Sequence, residues 1–187
     1  SLSVGASPQS STYSNPMGVL AGHANDFNGD GHSEIFIYTG TKNSDPFNNF
    51  ISLQDQSHPT TSAPLFQLNF DNYYLAADAG DVNGDGYSDI IVGVSGYDNE
   101  RGCVYFYPGS ALGLLGTSTT TLSGANEGDF FGTSVSSAGD VNGDGYGDVI
   151  VGAIDYASIY VGGSEGLSET AQTTMAEGNT DDFGLSV

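Results

Sequence analysis

Positive charge is almost absent from this sequence. The 187 residues include 2 Lys and Arg residues, Lys42 and Arg101, against 23 Asp and Glu residues, and the formal net charge is −21 at pH 7. Nucleic acids and anionic membrane surfaces bind proteins through basic patches that neutralise phosphate groups. Two basic residues cannot form such a patch, so we expect neither partner. We interpret most of the acidic charge outside the motifs below as a solvated surface that keeps the protein soluble.

Cysteine, tryptophan and long apolar runs are equally scarce. With a single cysteine, Cys103, the chain cannot form an intrachain disulfide, and we expect this residue to be buried as a small apolar side chain. No apolar run is long enough for direct membrane insertion. No segment shows a sustained helical period of apolar residues, whereas short β-branched runs alternate with turns rich in the 28 glycines. These patterns predict an all-β protein.

One nine-residue pattern occurs three times. It reads D-F-N-G-D-G-H-S-E at Asp26–Glu34, D-V-N-G-D-G-Y-S-D at Asp81–Asp89 and D-V-N-G-D-G-Y-G-D at Asp140–Asp148. The first residues of successive copies are 55 and 59 positions apart. A period of this size indicates a structural unit that is copied along the chain. We call the three copies the first, second and third loops.

Each loop contains the oxygen donors that calcium requires. Calcium takes about six to eight oxygen ligands at about 2.3–2.6 Å, and each loop carries Asp, Asn or Glu at positions 1, 3, 5 and 9. Glycine at position 6 lets the backbone reverse, and position 7 is expected to offer its carbonyl. The predicted ligands are Asp26, Asn28, Asp30, the His32 carbonyl and Glu34 in the first loop, Asp81, Asn83, Asp85, the Tyr87 carbonyl and Asp89 in the second, and Asp140, Asn142, Asp144, the Tyr146 carbonyl and Asp148 in the third.

The alternative interpretation is that the D-G and N-G steps only mark turns. Three copies with every ligand position filled favour calcium, about one ion for each loop and up to three in all. The first loop is expected to be the weakest site, because Glu34 is one methylene longer than the aspartate that ends the other two. An EF-hand is excluded, since it needs an acidic residue at position 12 followed by a helix. Position 12 is Ile37, Val92 or Val151, each inside a strand-like apolar run.

Each repeat is predicted to hold about four short antiparallel strands, the number in one blade of a β-propeller. We interpret Gly116–Ser123 as a Ser/Thr-rich loop, with a strand edge as the alternative. In the third repeat the predicted strands are Phe130–Ser137, Asp148–Ala153, Ser158–Val161 and Thr170–Ala176.

The stretch Asp129–Ala153 resembles an FG-GAP repeat, the blade of the integrin α-subunit propeller and of its bacterial relatives. Phe131-Gly132 matches the letters FG, and Val151-Gly152-Ala153 contains the letters GA. The resemblance implies calcium at the loops and a ring of about seven blades. It specifies no residue that binds a partner.

The predicted organisation is one repeat domain. It consists of a leading segment 1–16, a degenerate blade 17–69, two blades at 70–127 and 128–180, and the start of a further blade at 181–187. About three blades and a fragment do not close a ring of that size. We therefore expect these residues to be part of a longer protein, or of an assembly in which several chains share a ring or a fibre.

Three functions are compatible with this organisation. The first is a calcium-stabilised extracellular or cell-surface module that binds or adheres to a protein or glycan. The second is a structural subunit of an extracellular filament or surface assembly made from copies of itself. The third is the non-catalytic propeller region of a larger secreted enzyme.

We expect no catalytic activity in the chain itself. It has neither an H-E-x-x-H nor a C-x-x-C motif, and its imidazoles are His23, His32 and His58. Clustered carboxylates also occur as the acid–base pair of glycosidases. Here they are assigned to calcium, which holds its carboxylate ligands in the ionised form.

Overall fold

The computed structural model describes residues 16–23, 26, 29, 31, 33, 35–41, 50–54, 67–69, 75–114, 117–176 and 184–187. Before residue 75, side chains are described only at positions 26, 29, 31 and 33. Packing can therefore be followed in the second and third repeats, and the backbone alone in the strands of the first.

The described strands form three sheets of four antiparallel strands, in which consecutive strands are neighbours. This architecture confirms the prediction of an all-β chain built from partial propeller blades. The first sheet contains β1 (Pro16–His23), β2 (Ile35–Thr41), β3 (Phe50–Gln54) and β4 (Gln67–Asn69); the second contains β5 (Leu75–Gly80), β6 (Asp89–Val94), β7 (Cys103–Tyr107) and β8 (Thr120–Ser123); the third contains β9 (Ser134–Gly139), β10 (Asp148–Gly152), β11 (Tyr156–Tyr160) and β12 (Thr173–Ala176).

The second strand of a sheet is covered well, because it lies between two neighbouring strands and its β-branched side chains are packed on both faces. Every residue of β6 is buried. Ile91 lies opposite Phe106 on β7, and both side chains belong to one apolar cluster with Val149 and Val151 of β10. Cys103 is fully buried, as predicted, and burial raises the pKa of its thiol.

Several strand predictions need correction. In the third repeat the third strand is Tyr156–Tyr160 rather than Ser158–Val161, and the fourth begins at Thr173 rather than at Thr170. Strand β9 begins at Ser134 rather than at Phe130, because Phe130 has a φ of 52°, which is outside the extended region. The Ser/Thr-rich run is not only a loop, since Thr120–Ser123 forms the outer strand β8. Its side chains alternate between buried and exposed, with Thr120 and Leu122 facing the interior, as a half-covered strand requires.

Helical structure in the described ranges is limited to one turn, α1 (Tyr97–Glu100). It is left-handed at its centre, with φ of 49° at Asp98 and 55° at Asn99. No helix in the part of the chain that the structure describes is long and apolar enough to cross a membrane.

Neighbouring sheets approach each other through glycine backbones. A Cβ atom at Gly93 of β6 would collide with the carbonyl oxygen of Gly132, and one at Gly152 of β10 would collide with that of Gly184. Gly132 is the glycine of the FG pair in the third repeat. Gly184 therefore lies against the third sheet as Gly132 lies against the second. The predicted blade boundaries stay predictions, but this repeated contact gives the glycines of the motif a steric reason.

We expect Gly93→Ala and Gly152→Ala each to lower the free energy of unfolding by about 1–3 kcal/mol, because the added methyl group overpacks a backbone contact. Gly163→Ala is the matched control, since a Cβ there meets nothing within 4 Å, and its effect should stay within about 0.5 kcal/mol. Urea unfolding of the three variants measures the difference. Equal stability of Gly163→Ala and Gly93→Ala would contradict the packing argument.

Candidate metal centres

The three repeated loops connect the first and second strands of successive sheets. The glycines at positions 4 and 6 have nearly identical positive φ values in all three copies. These values are 73° and 86° at Gly29 and Gly31, 74° and 91° at Gly84 and Gly86, and 75° and 94° at Gly143 and Gly145. Only glycine adopts this region without strain, so the N-G-D-G sequence dictates the loop shape.

The aspartate at position 1 accepts a bond from the backbone N–H of position 6 in every loop. Of the first loop, Asp26, Gly29, Gly31 and Ser33 are described, and the predicted ligands Asn28, Asp30, His32 and Glu34 lie outside the described residues. The bonds are Gly31 N to Asp26 Oδ2 at 2.8 Å, Gly86 N to Asp81 Oδ2 at 3.0 Å and Gly145 N to Asp140 Oδ2 at 2.9 Å.

Positions 3 and 5 of the second loop are tied to each other and to the backbone. The N–H of Asp85 donates to Asp81 Oδ1 at 3.0 Å and to Asn83 Oδ1 at 2.9 Å. The Asn83 amide donates to Asp85 Oδ2 at 2.9 Å, and the N–H of Tyr87 donates to Asp85 Oδ1 at 3.0 Å. The three predicted side-chain ligands of the loop's first half are therefore held together.

The third loop repeats this network. The N–H of Asp144 donates to Asn142 Oδ1 at 2.9 Å and to Asp140 Oδ1 at 3.1 Å. The Asn142 amide donates to Asp144 Oδ2 at 2.8 Å, and the N–H of Tyr146 donates to Asp144 Oδ1 at 3.0 Å. Two loops with almost the same sequence thus have almost the same geometry.

The aspartate at position 9 has a structural role that the sequence reasoning missed. Asp89 is fully buried, and its two oxygens accept 2.8 Å bonds from the N–H groups of Val82 and Gly109. Asp148 is fully buried too and accepts from Val141 at 2.8 Å and Gly162 at 2.9 Å in the same way. Each carboxylate therefore joins the start of its loop to the turn after the third strand of the sheet.

The negative charges of the second loop act on its buried carboxylate at position 9. Burial raises the pKa of Asp89 to about 6, the bonds from Gly109 and Val82 oppose the shift, and the charges of Asp85 and Asp81 raise the pKa further. A divalent cation among these groups would offset their repulsion and favour the ionised form.

No three Asp, Glu, His or Cys side chains converge into a cluster that holds a metal, within the described ranges. The donor chemistry of the second loop nevertheless fits calcium, because it offers only oxygen: the carboxylates of Asp81, Asp85 and Asp89 and the amide oxygen of Asn83. A carboxylate has about four lone-pair sites, and each of these three accepts two hydrogen bonds. Acceptor sites therefore remain on each of them for a cation.

A second motif, which the sequence predictions missed, lacks the structural context of a serine hydrolase. Gly162–Gly166, G-G-S-E-G, has the G-x-S-x-G spacing of a serine hydrolase. That motif needs a sharp turn between a strand and a helix, whereas Ser164 lies on an exposed turn between β11 and β12. Gly162, the first glycine of the motif, is needed for packing instead, because a Cβ at this position would collide with the carbonyl oxygen of Gly147.

Comparison with known families identifies the repeats. The FG-GAP-like repeat family matches residues 26–92, and the FG-GAP repeat family matches residues 131–161. The chain belongs to the FG-GAP, integrin α-like family. The two matched ranges contain all three loops and seven of the described strands in full, so the FG-GAP repeats carry the candidate metal centres.

The relatives of the chain include integrin α chains. The FG-GAP chain is 41% identical over 85 residues to "Integrin alpha pat-2" of Caenorhabditis elegans, 28% over 141 residues to "Integrin alpha-4" of Xenopus laevis and 35% over 117 residues to "Integrin alpha-6" of Gallus gallus. These matches cover 43%, 70% and 57% of the chain. They span only 7%, 14% and 11% of the relatives' lengths.

The aspartate at position 9 is both a buried backbone anchor and a candidate metal ligand, and stability measured without metal tests the first role alone. With excess EGTA, Asp89→Ala should lower the free energy of unfolding by about 2 kcal/mol or more, because two buried N–H groups lose their acceptor. Asp85→Ala is the control, since Asp85 is exposed. It should cost less under these conditions. Urea unfolding in EGTA compares the two variants. An equal loss of stability in both would contradict the structural role of Asp89.

Proposed function

We propose that the chain is a calcium-stabilised, non-catalytic part of an extracellular propeller that binds or adheres to a partner. The observation that carries the proposal is the loop geometry: in all three loops the two glycines have the same backbone conformation, and position 6 donates the same bond to the aspartate at position 1. Repetition of an oxygen-rich turn in successive blades supports a common ligand, and calcium is the cation that such donors prefer.

The proposed ligands are those that the sequence predicts, with one refinement. Positions 1, 3 and 5 and the carbonyl of position 7 form the open side of the site. The buried aspartate at position 9 binds the ion through the lone pairs that its two backbone hydrogen bonds leave free. In the second loop these residues are Asp81, Asn83, Asp85, Tyr87 and Asp89.

The class of function is transferred from the integrin α relatives, which favour an extracellular or cell-surface binding module over the other possibilities.

The proposed partner of this module is a protein, a glycan or another copy of the chain. The net charge of −21 disfavours nucleic acid and favours partners with exposed basic groups. No contact among the described residues supports the third possibility, the propeller region of a larger secreted enzyme.

We expect calcium to raise the melting temperature of the chain strongly. A bound ion stabilises the fold by about 2.7 kcal/mol for each site at a hundredfold excess over its dissociation constant, and it relieves the repulsion among the loop carboxylates. Melting curves in calcium and in excess EGTA measure the effect. The double variant Asp85→Ala, Asp144→Ala is the control and should respond much less. Superimposed curves for the unchanged chain would refute the calcium proposal.

An assembly subunit is the second candidate, and the exposed apolar residues of the third repeat and of the last described range favour it. Val141 is 49% exposed, whereas Val82, at the same position of the second loop, is fully buried. Leu185 and Val187, in the last described range, are exposed, and so is all of β12. Exposed apolar groups are stabilised by a covering surface.

This candidate predicts association of the 187-residue chain in millimolar calcium, visible as a mass that rises with concentration in light scattering. Val141→Thr together with Leu185→Ser should reduce the association, because both changes remove exposed apolar surface. Leu112→Ser is the control for the same kind of change at another exposed apolar residue, since Leu112 is 94% exposed in the second repeat. A monodisperse monomer at all concentrations would exclude the assembly.

A further inference from the structure

The tyrosine at position 7 of one loop packs on the glycine at position 4 of the loop before it. A Cβ atom at Gly29 would lie 2.5 Å from Cε1 of Tyr87, and one at Gly84 would lie 2.6 Å from Cε1 of Tyr146. The aromatic ring therefore rests directly on the glycine peptide. The same contact occurs between the first and second loops and between the second and third, so it is a property of the repeat.

A backbone bond accompanies each ring contact. The N–H of Ser88 donates to the carbonyl of Asp26 at 3.3 Å, and the N–H of Gly147 donates to the carbonyl of Asp81 at 2.8 Å. In both cases position 8 of one loop holds position 1 of the loop before it. Gly163, after β11, adds a 2.9 Å bond to the carbonyl of Val82.

The third loop has no such cover among the described residues, so it provides an internal comparison. A Cβ at Gly143 would meet nothing within 4 Å, whereas Gly84 is covered by Tyr146. Val141 is 49% exposed and Val82 is fully buried. The sequences of these two loops differ only at position 8, which is Ser88 in one and Gly147 in the other. Their difference in environment therefore comes from the neighbouring repeat.

We propose that the calcium sites of successive loops are coupled, so that each loop sets the affinity of the loop before it. The inference rests on the calcium function proposed above. Position 7 offers its backbone carbonyl to its own loop and its ring to the preceding one, and position 8 binds the backbone of the preceding position 1. Ordering of one loop by calcium therefore orders part of the other. Such a coupling is reciprocal, and both ions gain affinity by the same factor.

The packing on the second loop, which the third loop lacks among the described residues, ranks two sites of nearly identical sequence. The second loop, covered by Tyr146 and Gly147, binds calcium more tightly than the third in this chain. The sequence alone predicts equal affinity for the two loops, because their ligands are the same.

A calcium titration of the 15N-labelled chain tests the coupling. The amide signals of Gly86 and Gly145 report the second and third loops separately, since each N–H donates to the position 1 carboxylate of its own loop. We expect Gly86 to saturate at lower calcium than Gly145. Tyr146→Ala should weaken binding at the second loop about fivefold or more, whereas Tyr146→Phe, which keeps the ring, should change it by less than about twofold.

Two further variants keep the test decisive if Tyr146→Ala fails to fold. Asp144→Ala removes a ligand of the third loop and keeps Tyr146, and it should weaken the second loop; Asp85→Ala should weaken the third by the same factor. Saturation of both loops with affinities that no variant in the other loop changes would overturn the coupling alone. Absence of any calcium-dependent shift in the unchanged chain would overturn the calcium proposal and, with it, the coupling.

Discussion

Direct backbone contact between successive repeats is the constraint on which this structure depends. Gly93 and Gly152 lie in the second strands of their sheets and admit the carbonyl of a glycine from the next repeat. A side chain at either position would collide with that carbonyl. At Gly93 it would also separate the second and third sheets, and the apolar cluster that they share would lose its packing. Stability in this chain is therefore a property of neighbouring pairs of repeats, as in other repeat proteins.

The loops depend on the same neighbour relation. Within one loop, glycines and N–H bonds fix the side chains of positions 1, 3 and 5, and a buried aspartate anchors the loop to its own sheet. Between loops, a tyrosine ring and a backbone bond join each loop to the one before it. Local sequence thus forms the candidate site, and the adjoining repeat determines how much of it is covered.

Much of the fold could be predicted because the signals are local. β-Branched runs such as Ile90–Val94 alternate with glycine turns, and the strands follow them closely. Prediction failed where a distant contact decides the backbone. Phe130 leaves the extended region because its N–H bonds to the carbonyl of Glu100 in another repeat. Thr120–Ser123 becomes a strand because it pairs with β7 and because the Thr120 hydroxyl reaches the carbonyl of Leu167.

The sequence by itself determined the repeat, the turn of each loop and the set of oxygen donors, since glycine conformation and carboxylate spacing act over a few residues. Only the tertiary structure decided that Asp89 and Asp148 are buried anchors as well as candidate ligands, because their N–H partners at Gly109 and Gly162 lie after a later strand. It also decided that two loops of nearly equal sequence differ in exposure. Burial depends on the repeat that follows a loop, and the nine residues of the loop do not encode it.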